Sequence, residues 1–345
     1  MERARTSIKR ALFWGHENDR VRCRLCPKLC LIAEGRLGFC GVRENVGGEL
    51  YSLIYARASS VAVDPIEKKP LFHFYPGSLV YSLGTIGCNL RCKHCQNYVI
   101  AHARAHELAS RLLHVPPAET AEAAEREGCA GVALTYNEPT IWIEYALDLF
   151  AECRARNLYT VFVTNGYITE EALDAVAPVL DAYRVDIKGF SSRSYHEIAG
   201  IRDFSPIVAA AERAFKHHGA HVEIVTLVIP TVNDSEGELR DIAHWIRDSL
   251  SPSVPWHVTR FYPYLQFSHL PPTPIATLER AREIGLEEGL RFVYIGNVPG
   301  HAAENTVCPS CGKTVVERSG YVIEKKHVRD GRCAFCGEDL NMRGV

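Results

Sequence analysis

Short runs rich in β-branched residues alternate with amphipathic segments between residues 76 and 300, and this alternation most limits the folds open to the chain. Seven runs have the length of a strand, at residues 79–84, 131–136, 159–165, 182–188, 221–230, 256–263 and 291–296. Most segments between them have helical periodicity, and Ile143, Leu147 and Phe150 share one predicted face. Strands that alternate with helices form a parallel sheet, and about seven such units favour a full or partial (β/α) barrel over a flat sheet. We therefore expect an α/β fold with its ligand site at the carboxyl ends of the strands.

The overall composition excludes several classes of protein. The 345 residues are 47% hydrophobic and 23% charged, with a formal net charge of −2, so no basic field predicts a nucleic-acid or anionic-membrane partner. The longest apolar runs, such as residues 224–230, are far shorter than a membrane span. The N-terminal stretch MERARTSIKRALFW is basic but lacks the apolar core of an export signal. These features predict a cytoplasmic protein.

The cysteines divide the chain into three parts. Eleven of the thirteen fall in groups, namely Cys23, Cys26, Cys30 and Cys40, then Cys88, Cys92 and Cys95, then Cys308, Cys311, Cys333 and Cys336. We expect the remaining two, Cys129 and Cys153, to be buried as small hydrophobic residues. The groups predict an N-terminal Cys-rich segment at 1–75, an α/β domain at 76–300 and a C-terminal segment at 301–345.

The central cysteines, Cys88, Cys92 and Cys95, follow the first predicted strand of the α/β domain with the spacing C-x3-C-x2-C. Three thiols so close together indicate a metal or iron–sulfur site, and such sites normally take four protein ligands. A cluster held by three cysteines has one iron free to bind a substrate or cosubstrate. A zinc site completed by a residue elsewhere is the alternative, and His94 is a conceivable fourth ligand.

This loop, GCNLRCKHCQN at residues 87–97, resembles that of the radical S-adenosylmethionine (SAM) enzymes. The resemblance implies a [4Fe–4S] cluster whose open iron chelates the amino and carboxylate groups of SAM. It also implies reductive cleavage of SAM to methionine and a 5′-deoxyadenosyl radical. His94 stands where the superfamily commonly has an aromatic residue near the adenine.

Three predicted strand ends extend the resemblance to pyruvate formate-lyase activating enzymes. Residues 135–139, TYNEP, stand where the family has a Gly-Gly-Glu-Pro segment, although both glycines are absent. The next two strands end in TNG at 164–166 and DIKG at 186–189. Asn-Gly and Lys-Gly also form simple turns, which is the alternative interpretation. The resemblance implies the following contacts with SAM: Asn137 or Glu138 with the amino group, Asn165 with the ribose, and Lys188 with Asp186 at the carboxylate.

Later strand ends offer weaker candidates for the same pocket. These are Thr226, Asn233, Asp234, Gly296 and Asn297, with Tyr136, Tyr262 and Tyr264 as expected wall residues.

The flanking cysteine groups have the spacing of closed metal sites. CPSCGK and CAFCGE form two C-x2-C pairs, each followed by glycine, which predicts a structural, zinc-ribbon-like site at Cys308, Cys311, Cys333 and Cys336. The N-terminal group, Cys23, Cys26, Cys30 and Cys40, has the spacing C-x2-C-x3-C-x9-C. Zinc and an auxiliary [4Fe–4S] cluster both fit this spacing, and zinc is slightly favoured.

Taken together, these motifs resemble the radical SAM component of the AmmeMemoRadiSam system along nearly the whole chain. The resemblance implies an activating-enzyme-like oxidoreductase that abstracts a hydrogen atom from an unidentified substrate, with a protein glycine as the closest analogy. An electron donor such as a flavodoxin or ferredoxin and other proteins of that system are the implied partners. A zinc-ribbon nucleic-acid-binding protein is disfavoured by the neutral charge balance, and a plain electron carrier by the three-ligand loop.

Overall fold

The computed structural model describes residues 8–108 and 111–345, so the first half of the basic N-terminal stretch lies outside the described residues. The N-terminal part consists of short strands: β1 (Lys9–Arg10), β2 (Trp14–Glu17), β3 (Arg20–Cys23), β4 (Leu31–Ile32), β5 (Arg43–Val46), β6 (Glu49–Ser52) and β7 (Arg57–Ala58). Two antiparallel three-stranded sheets result, with the orders β1-β6-β5 and β2-β3-β4. This small β unit carries the first cysteine group.

The central part is built on one large sheet. Its chain segments are β8 (Ser60–Pro65), β9 (Leu79–Gly84), β10 (Leu113–His114), β11 (Gly131–Leu134), β12 (Tyr159–Thr164), β13 (Ala182–Asp186), β14 (His221–Val228), β15 (Trp256–Arg260) and β16 (Val293–Gly296). Eight of them form a sheet with the order β16-β15-β14-β13-β12-β11-β9-β8, while β10 pairs with β7. The seven strands predicted from the sequence are all present, and they are parallel to one another.

The sheet is open, because β8 and β16 stand at its two edges. The fold is therefore a partial barrel. The sequence analysis missed β8, which pairs antiparallel with β9 although it lies within the predicted N-terminal segment. The sheet thus begins earlier in the chain than residue 76. Almost every residue of β12 and β14 is buried, as expected of parallel strands covered on both faces.

Nine helices are described, and most of them connect successive strands. They are α1 (Tyr98–Ala101), α2 (Ala105–Leu108), α3 (Pro117–Arg126), α4 (Ile143–Ala155), α5 (Glu170–Val176), α6 (Ser192–Ala199), α7 (Ser205–Lys216), α8 (Glu236–Trp245) and α9 (Ile275–Glu287). Pro139 begins a 3-10 turn that leads into α4, and the Ser235 side chain accepts the Glu238 N–H at the start of α8. Within the described part of the chain, no helix has the length and apolar character that crossing a bilayer requires. Cys129 and Cys153 are buried, as predicted.

The C-terminal segment packs against the large sheet. It contains β17 (Thr306–Val307), β18 (Thr314–Ser319), β19 (Val322–Lys326), β20 (Val328–Arg329) and β21 (Arg332–Cys333). Arg318, buried in β18, donates from Nη2 to the Phe72 carbonyl at 3.0 Å, and His73 Nδ1 lies 2.8 Å from the Leu340 carbonyl. Phe72, Phe292 and Tyr294 complete a shared apolar cluster. The hairpin β18–β19 is therefore tied to the sheet and is not an independent tail.

Candidate active site

One cavity opens at the carboxyl ends of the parallel strands, where the fold predicts a ligand site. Its volume is about 1630 Å³, its open mouth included. The lining contains every residue predicted for the central cluster and for SAM: Cys88, Cys92, Cys95, Asn137, Glu138, Asn165, Asp186 and Lys188. These residues come from four chain segments that the sequence separates by up to about a hundred positions, and the sheet brings them together.

The cysteine loop connects β9 to α1 and is held by hydrogen bonds to its own backbone. Arg91 Nη1 donates to the Cys88 carbonyl at 2.7 Å, and the Leu90 N–H points at the Cys88 sulfur at 3.4 Å. Burial raises the pKa of the Cys92 thiol to about 11 and that of Cys88 well above its usual value. The three cysteines line one large cavity, and three thiolate ligands would leave one iron of a [4Fe–4S] cluster open to a cosubstrate.

His94 lies in the same cavity lining, and its ring stacks 6.4 Å from the ring of Phe267. Burial lowers the pKa of His94 to about 3, so the imidazole is neutral at any physiological pH. Its buried Nδ1 has no hydrogen-bond partner among the residues that the structure describes. A neutral aromatic ring beside the cysteines is compatible with the predicted place near an adenine.

Glu138 links the ends of β11 and β12. One carboxylate oxygen accepts hydrogen bonds from Thr140 N at 3.0 Å and from Thr164 Oγ1 at 2.7 Å, and the other accepts from Asn165 N at 2.8 Å. Burial raises the pKa of Glu138, while the N–H of Asn165 and the other donors oppose this shift. The carboxylate therefore positions both strand ends and still lines the cavity.

Asn137 and Asn165 connect the strand ends to the cysteine loop. The Asn137 amide accepts from Thr85 N at 3.1 Å and donates to the Gly87 carbonyl at 2.8 Å. The Asn165 amide nitrogen lies 2.9 Å from Asn89 Oδ1 and 3.7 Å from the Cys88 sulfur. Both side chains thus place the loop against the sheet as well as lining the cavity.

Asp186 and Lys188 form a charged group with Arg184 on β13. Asp186 lies 2.5 Å from Arg184 Nη1 and 3.1 Å from Lys188 Nζ. Burial opposes the charge on Asp186, but Arg184 and Lys188 lower its pKa to about 2. Burial also opposes the charge on Lys188, but Asp186 raises its pKa above the usual value. All three groups are therefore charged at neutral pH, with one positive charge in excess.

The comparisons with known proteins agree with this geometry. Residues 83–245 match the profile of the radical SAM superfamily, a range that includes the cysteine loop and all the strand ends just described. A protein of Methanocaldococcus jannaschii, named only as uncharacterized, is 43% identical over 340 residues, which are 97% of this chain and 99% of that protein. The chain belongs to the radical SAM superfamily.

Shorter matches link this radical SAM protein to enzymes named as lyase activating enzymes. The pyruvate formate-lyase-activating enzyme of Clostridium pasteurianum is 30% identical over 173 residues, which are 47% of this chain and 67% of that enzyme. The choline trimethylamine-lyase activating enzyme of Oleidesulfovibrio alaskensis is 28% identical over 117 residues, and the match spans only 37% of that enzyme. A solved radical SAM methyltransferase from Sphaerobacter thermophilus has the same fold, with a TM-score of 0.50 at 16% identity over 64% of this chain and 67% of that chain. The shorter matches are thus to proteins named as lyase activating enzymes, and the solved structure shares the fold.

Tyr136 stands in the second-strand segment, where this radical SAM protein lacks the two usual glycines, and it has a glycine-like backbone conformation. Its φ of 68° is the left-handed conformation that favours glycine. The tyrosine is held there by its hydroxyl, which donates to Asp64 at 2.8 Å, and by the Asn97 amide, which donates to its carbonyl at 2.7 Å. The backbone geometry is therefore compatible with the family segment even though its residues differ.

The sequence analysis missed a second charged group in the cavity. Lys68 and Lys69 line it, and each lies 2.7 Å from a carboxylate oxygen of Asp64. Arg184 also lines the cavity, 8% exposed, with a buried Nε that has no hydrogen-bond partner in the described part of the chain. The two lysines follow β8, so the short apolar run VAV in that strand was the available signal.

Several weaker predictions are wrong about which side chains line this cavity. Of the candidates at the later strand ends, Asn297 is in the described lining, as are the wall residues Tyr136 and Tyr262. Val225 and Leu227 of β14 line it, so Thr226 between them points to the opposite face and accepts from Trp256 Nε1. The others have structural roles: Asn233 and Asp234 bond to nearby backbone, Gly296 packs on Thr259, and the ring of Tyr264 lies 6.1 Å from that of Tyr98.

The C-terminal cysteines meet in one place. The sulfurs of Cys308 and Cys336 are 3.6 Å apart and those of Cys311 and Cys333 are 3.8 Å apart. All four ligand atoms lie within 4.8 Å of one another. Tetrahedral Zn²⁺ with Zn–S bonds of about 2.3 Å requires sulfurs at roughly these separations. The set fits a structural zinc ion, which would hold the β18–β19 hairpin in place. The turn of this hairpin contributes Tyr321 to the lining of the active-site cavity.

Proposed function

We propose that this protein is a radical SAM oxidoreductase that abstracts a hydrogen atom from a protein glycine, in the manner of an activating enzyme. When bound, a [4Fe–4S] cluster supplies the electron that splits SAM into methionine and a 5′-deoxyadenosyl radical. The observation that carries the proposal is the single cavity into which three cysteines and the strand-end residues all project. The names of the shorter matches, which include three kinds of lyase-activating enzyme, support a protein substrate.

The residues of the chain would hold SAM in a defined orientation. Lys188, held by Asp186, is the candidate for the carboxylate. Asn165, whose amide nitrogen lies 3.7 Å from the Cys88 sulfur, is the candidate for the ribose. Asn137 and Glu138 are the candidates for the amino group. Val163, Val225 and Leu227 form an apolar wall beyond them, which would exclude water from the adenosyl carbon.

The proposal includes partners and a compartment. The motif set quoted from the N-terminus, the cysteine loop and the C-terminal pairs supports the radical SAM component of the AmmeMemoRadiSam system. A flavodoxin or ferredoxin would supply the electron, and other proteins of that system would provide or present the substrate. The formal net charge of −2 gives no support for a nucleic-acid or membrane partner. We propose that the protein is located in the cytoplasm.

Deuterium transfer tests the glycine substrate. The reconstituted protein, a chemical reductant and SAM would be added to an anaerobic extract of cells grown on fully deuterated glycine, after removal of small molecules. We expect deuterium in the 5′-deoxyadenosine that forms, measured by mass spectrometry. Extract from cells grown on unlabelled glycine is the control. Abundant 5′-deoxyadenosine without deuterium would exclude a glycine hydrogen and leave the radical SAM assignment intact.

The C-terminal zinc is proposed on the sulfur geometry alone, and metal analysis tests it. The double substitution Cys311→Ser and Cys336→Ser removes the two exposed ligands of the set. We expect about one zinc fewer per chain and a lower melting temperature, because a structural ion contributes directly to folding. Ser310→Ala in the same loop is the matched control. An unchanged zinc content in the double variant would refute the assignment.

A further inference from the structure

The four N-terminal cysteines surround a small enclosed cavity of about 350 Å³, its opening included. Cys23, Cys26, Cys30 and Cys40 all line it. The Cys30 sulfur accepts the Phe39 N–H at 3.4 Å. A backbone N–H that points at a cysteine sulfur is compatible with a thiolate bound to a metal centre.

The three cysteine groups have two different geometries. In the described residues, the C-terminal group alone has three or more His, Cys, Asp or Glu ligand atoms all within 4.8 Å of one another. In the N-terminal group no three sulfurs all lie within 4.8 Å of one another, and neither do the three sulfurs of the central group, Cys88 with Cys92 and Cys95. Zinc requires its four sulfurs about 3.8 Å apart, given Zn–S bonds of about 2.3 Å. A [4Fe–4S] cluster holds its cysteines farther apart, because each sulfur binds a different iron.

The cavity wall carries positive charge that its neighbours do not fully neutralise. Arg43 is 1% exposed and lies 2.8 Å from Glu144 through Nη2. Its Nε and Nη1 are buried and have no hydrogen-bond partner among residues 8–108 and 111–345. Lys28 lines the same cavity. Unsatisfied guanidinium N–H groups are costly to bury, and a centre bound by four thiolates is an anion whose sulfurs accept hydrogen bonds.

The N-terminal site lies directly against the central cysteine loop. Gly87 packs so closely on it that a Cβ there would come within 2.6 Å of the Cys40 carbonyl. Arg91 Nη2 donates to the Phe39 carbonyl at 2.9 Å. Asn89 lines the N-terminal cavity, while its Oδ1 accepts from Asn165 of the active site at 2.9 Å. The two sites are thus separated by little more than one layer of side chains.

We propose that Cys23, Cys26, Cys30 and Cys40 bind a second [4Fe–4S] cluster and not the zinc ion that their spacing slightly favours. All four of its irons have a cysteine ligand, so the cluster offers no iron to a substrate. Its chemistry is that of an electron-carrying centre beside the active-site loop. The proposal does not depend on the substrate of the enzyme.

Metal content of two complementary variants tests this proposal. After anaerobic reconstitution, we expect about eight irons, eight inorganic sulfides and one zinc per chain of the unmodified protein, as two [4Fe–4S] clusters require. The triple variant Cys88→Ala, Cys92→Ala, Cys95→Ala should retain about four irons and the Mössbauer signature of a [4Fe–4S] cluster. The double variant Cys26→Ser, Cys30→Ser should lose about four irons and retain the central cluster.

The triple variant decides the question, because its N-terminal ligands are intact whether or not the double variant folds. A triple variant that contains about two zincs and no iron would overturn the proposal in favour of zinc. Retention of eight irons by the folded double variant would overturn it as well. Cys129→Ala, which removes a buried thiol outside all three groups, is the control and should leave the iron content unchanged.

Discussion

Replacement of any one of Cys88, Cys92 or Cys95 by alanine is expected to abolish iron binding at the central site and to reduce SAM cleavage by at least about a thousandfold. The loop offers three thiolates to the cluster, and a variant with two leaves a second iron without a ligand. The measurements are iron per chain after anaerobic reconstitution and 5′-deoxyadenosine formed per minute under chemical reduction.

The control for this prediction is Cys153→Ala, a fully buried thiol in α4 that has no part in a cysteine group. Its cleavage rate should stay within about twofold of the unmodified rate, because the cost is a small cavity in the core. If one of the three loop variants cleaves SAM at the unmodified rate, the central loop does not hold the reactive cluster. Iron bound elsewhere in the chain would not change this conclusion, because the rate of SAM cleavage is measured directly.

The parallel sheet could be predicted because its signal is local. The strands from β11 to β16 in the sheet are short runs rich in apolar residues, each preceded by a helix, and both patterns are visible within about twenty residues. The edge strand β8 contains only the short apolar run VAV, and it precedes the cysteine loop in a segment dominated by the first cysteine group. Its pairing with β9 is a long-range event that no local pattern encodes.

The active-site residues divide in the same way. Asn137, Glu138, Asn165, Asp186 and Lys188 stand directly at strand ends, so the topology alone brings them to one edge. Lys68 and Lys69 reach that edge from the turn after β8, which was not predicted. Thr226 was misplaced because the strand period of two decides which face a residue takes. Both faces of β14 are buried, so its sequence HVEIVTLV does not show which face lines the cavity.

Tyr136 illustrates a limit of motif comparison. The absence of two glycines suggests that the backbone contact of the second strand is lost, yet the left-handed φ of 68° is present on a tyrosine. Contacts with Asp64 and Asn97 support this conformation, and both partners are distant in sequence. In this chain the left-handed conformation is maintained on a tyrosine by tertiary hydrogen bonds, which a motif cannot record.

The substitution Lys188→Ala is expected to weaken SAM binding by roughly tenfold or more, measured by anaerobic equilibrium dialysis with the cluster assembled. Lys188 is 12% exposed, and Asp186 holds its ammonium in the cavity. A charge-assisted contact to a carboxylate is worth about 1.5–3 kcal/mol. The raised pKa of Lys188 keeps the charge at neutral pH, so the loss should not depend on pH around neutrality. Lys216→Ala, an exposed lysine at the end of α7, is the matched control.

Glu138→Gln should weaken SAM binding by a similar factor for a different reason. The carboxylate accepts three hydrogen bonds from Thr140, Thr164 and Asn165, and an amide NH₂ would face one or more of these donors. Both strand ends should then shift, and this shift should move Asn165 away from the Cys88 sulfur. The substitution also removes the negative charge that Glu138 offers to the amino group of SAM. Thr140→Ser, which keeps the backbone donor to Glu138, is the control.

The cluster's absorption spectrum should stay unchanged in Lys188→Ala, whereas Glu138→Gln should alter it through Asn165. Normal SAM affinity in both variants would refute the assignment of the strand-end residues to SAM binding. The assignment of the three loop cysteines to the cluster would be unaffected, because it depends on different side chains.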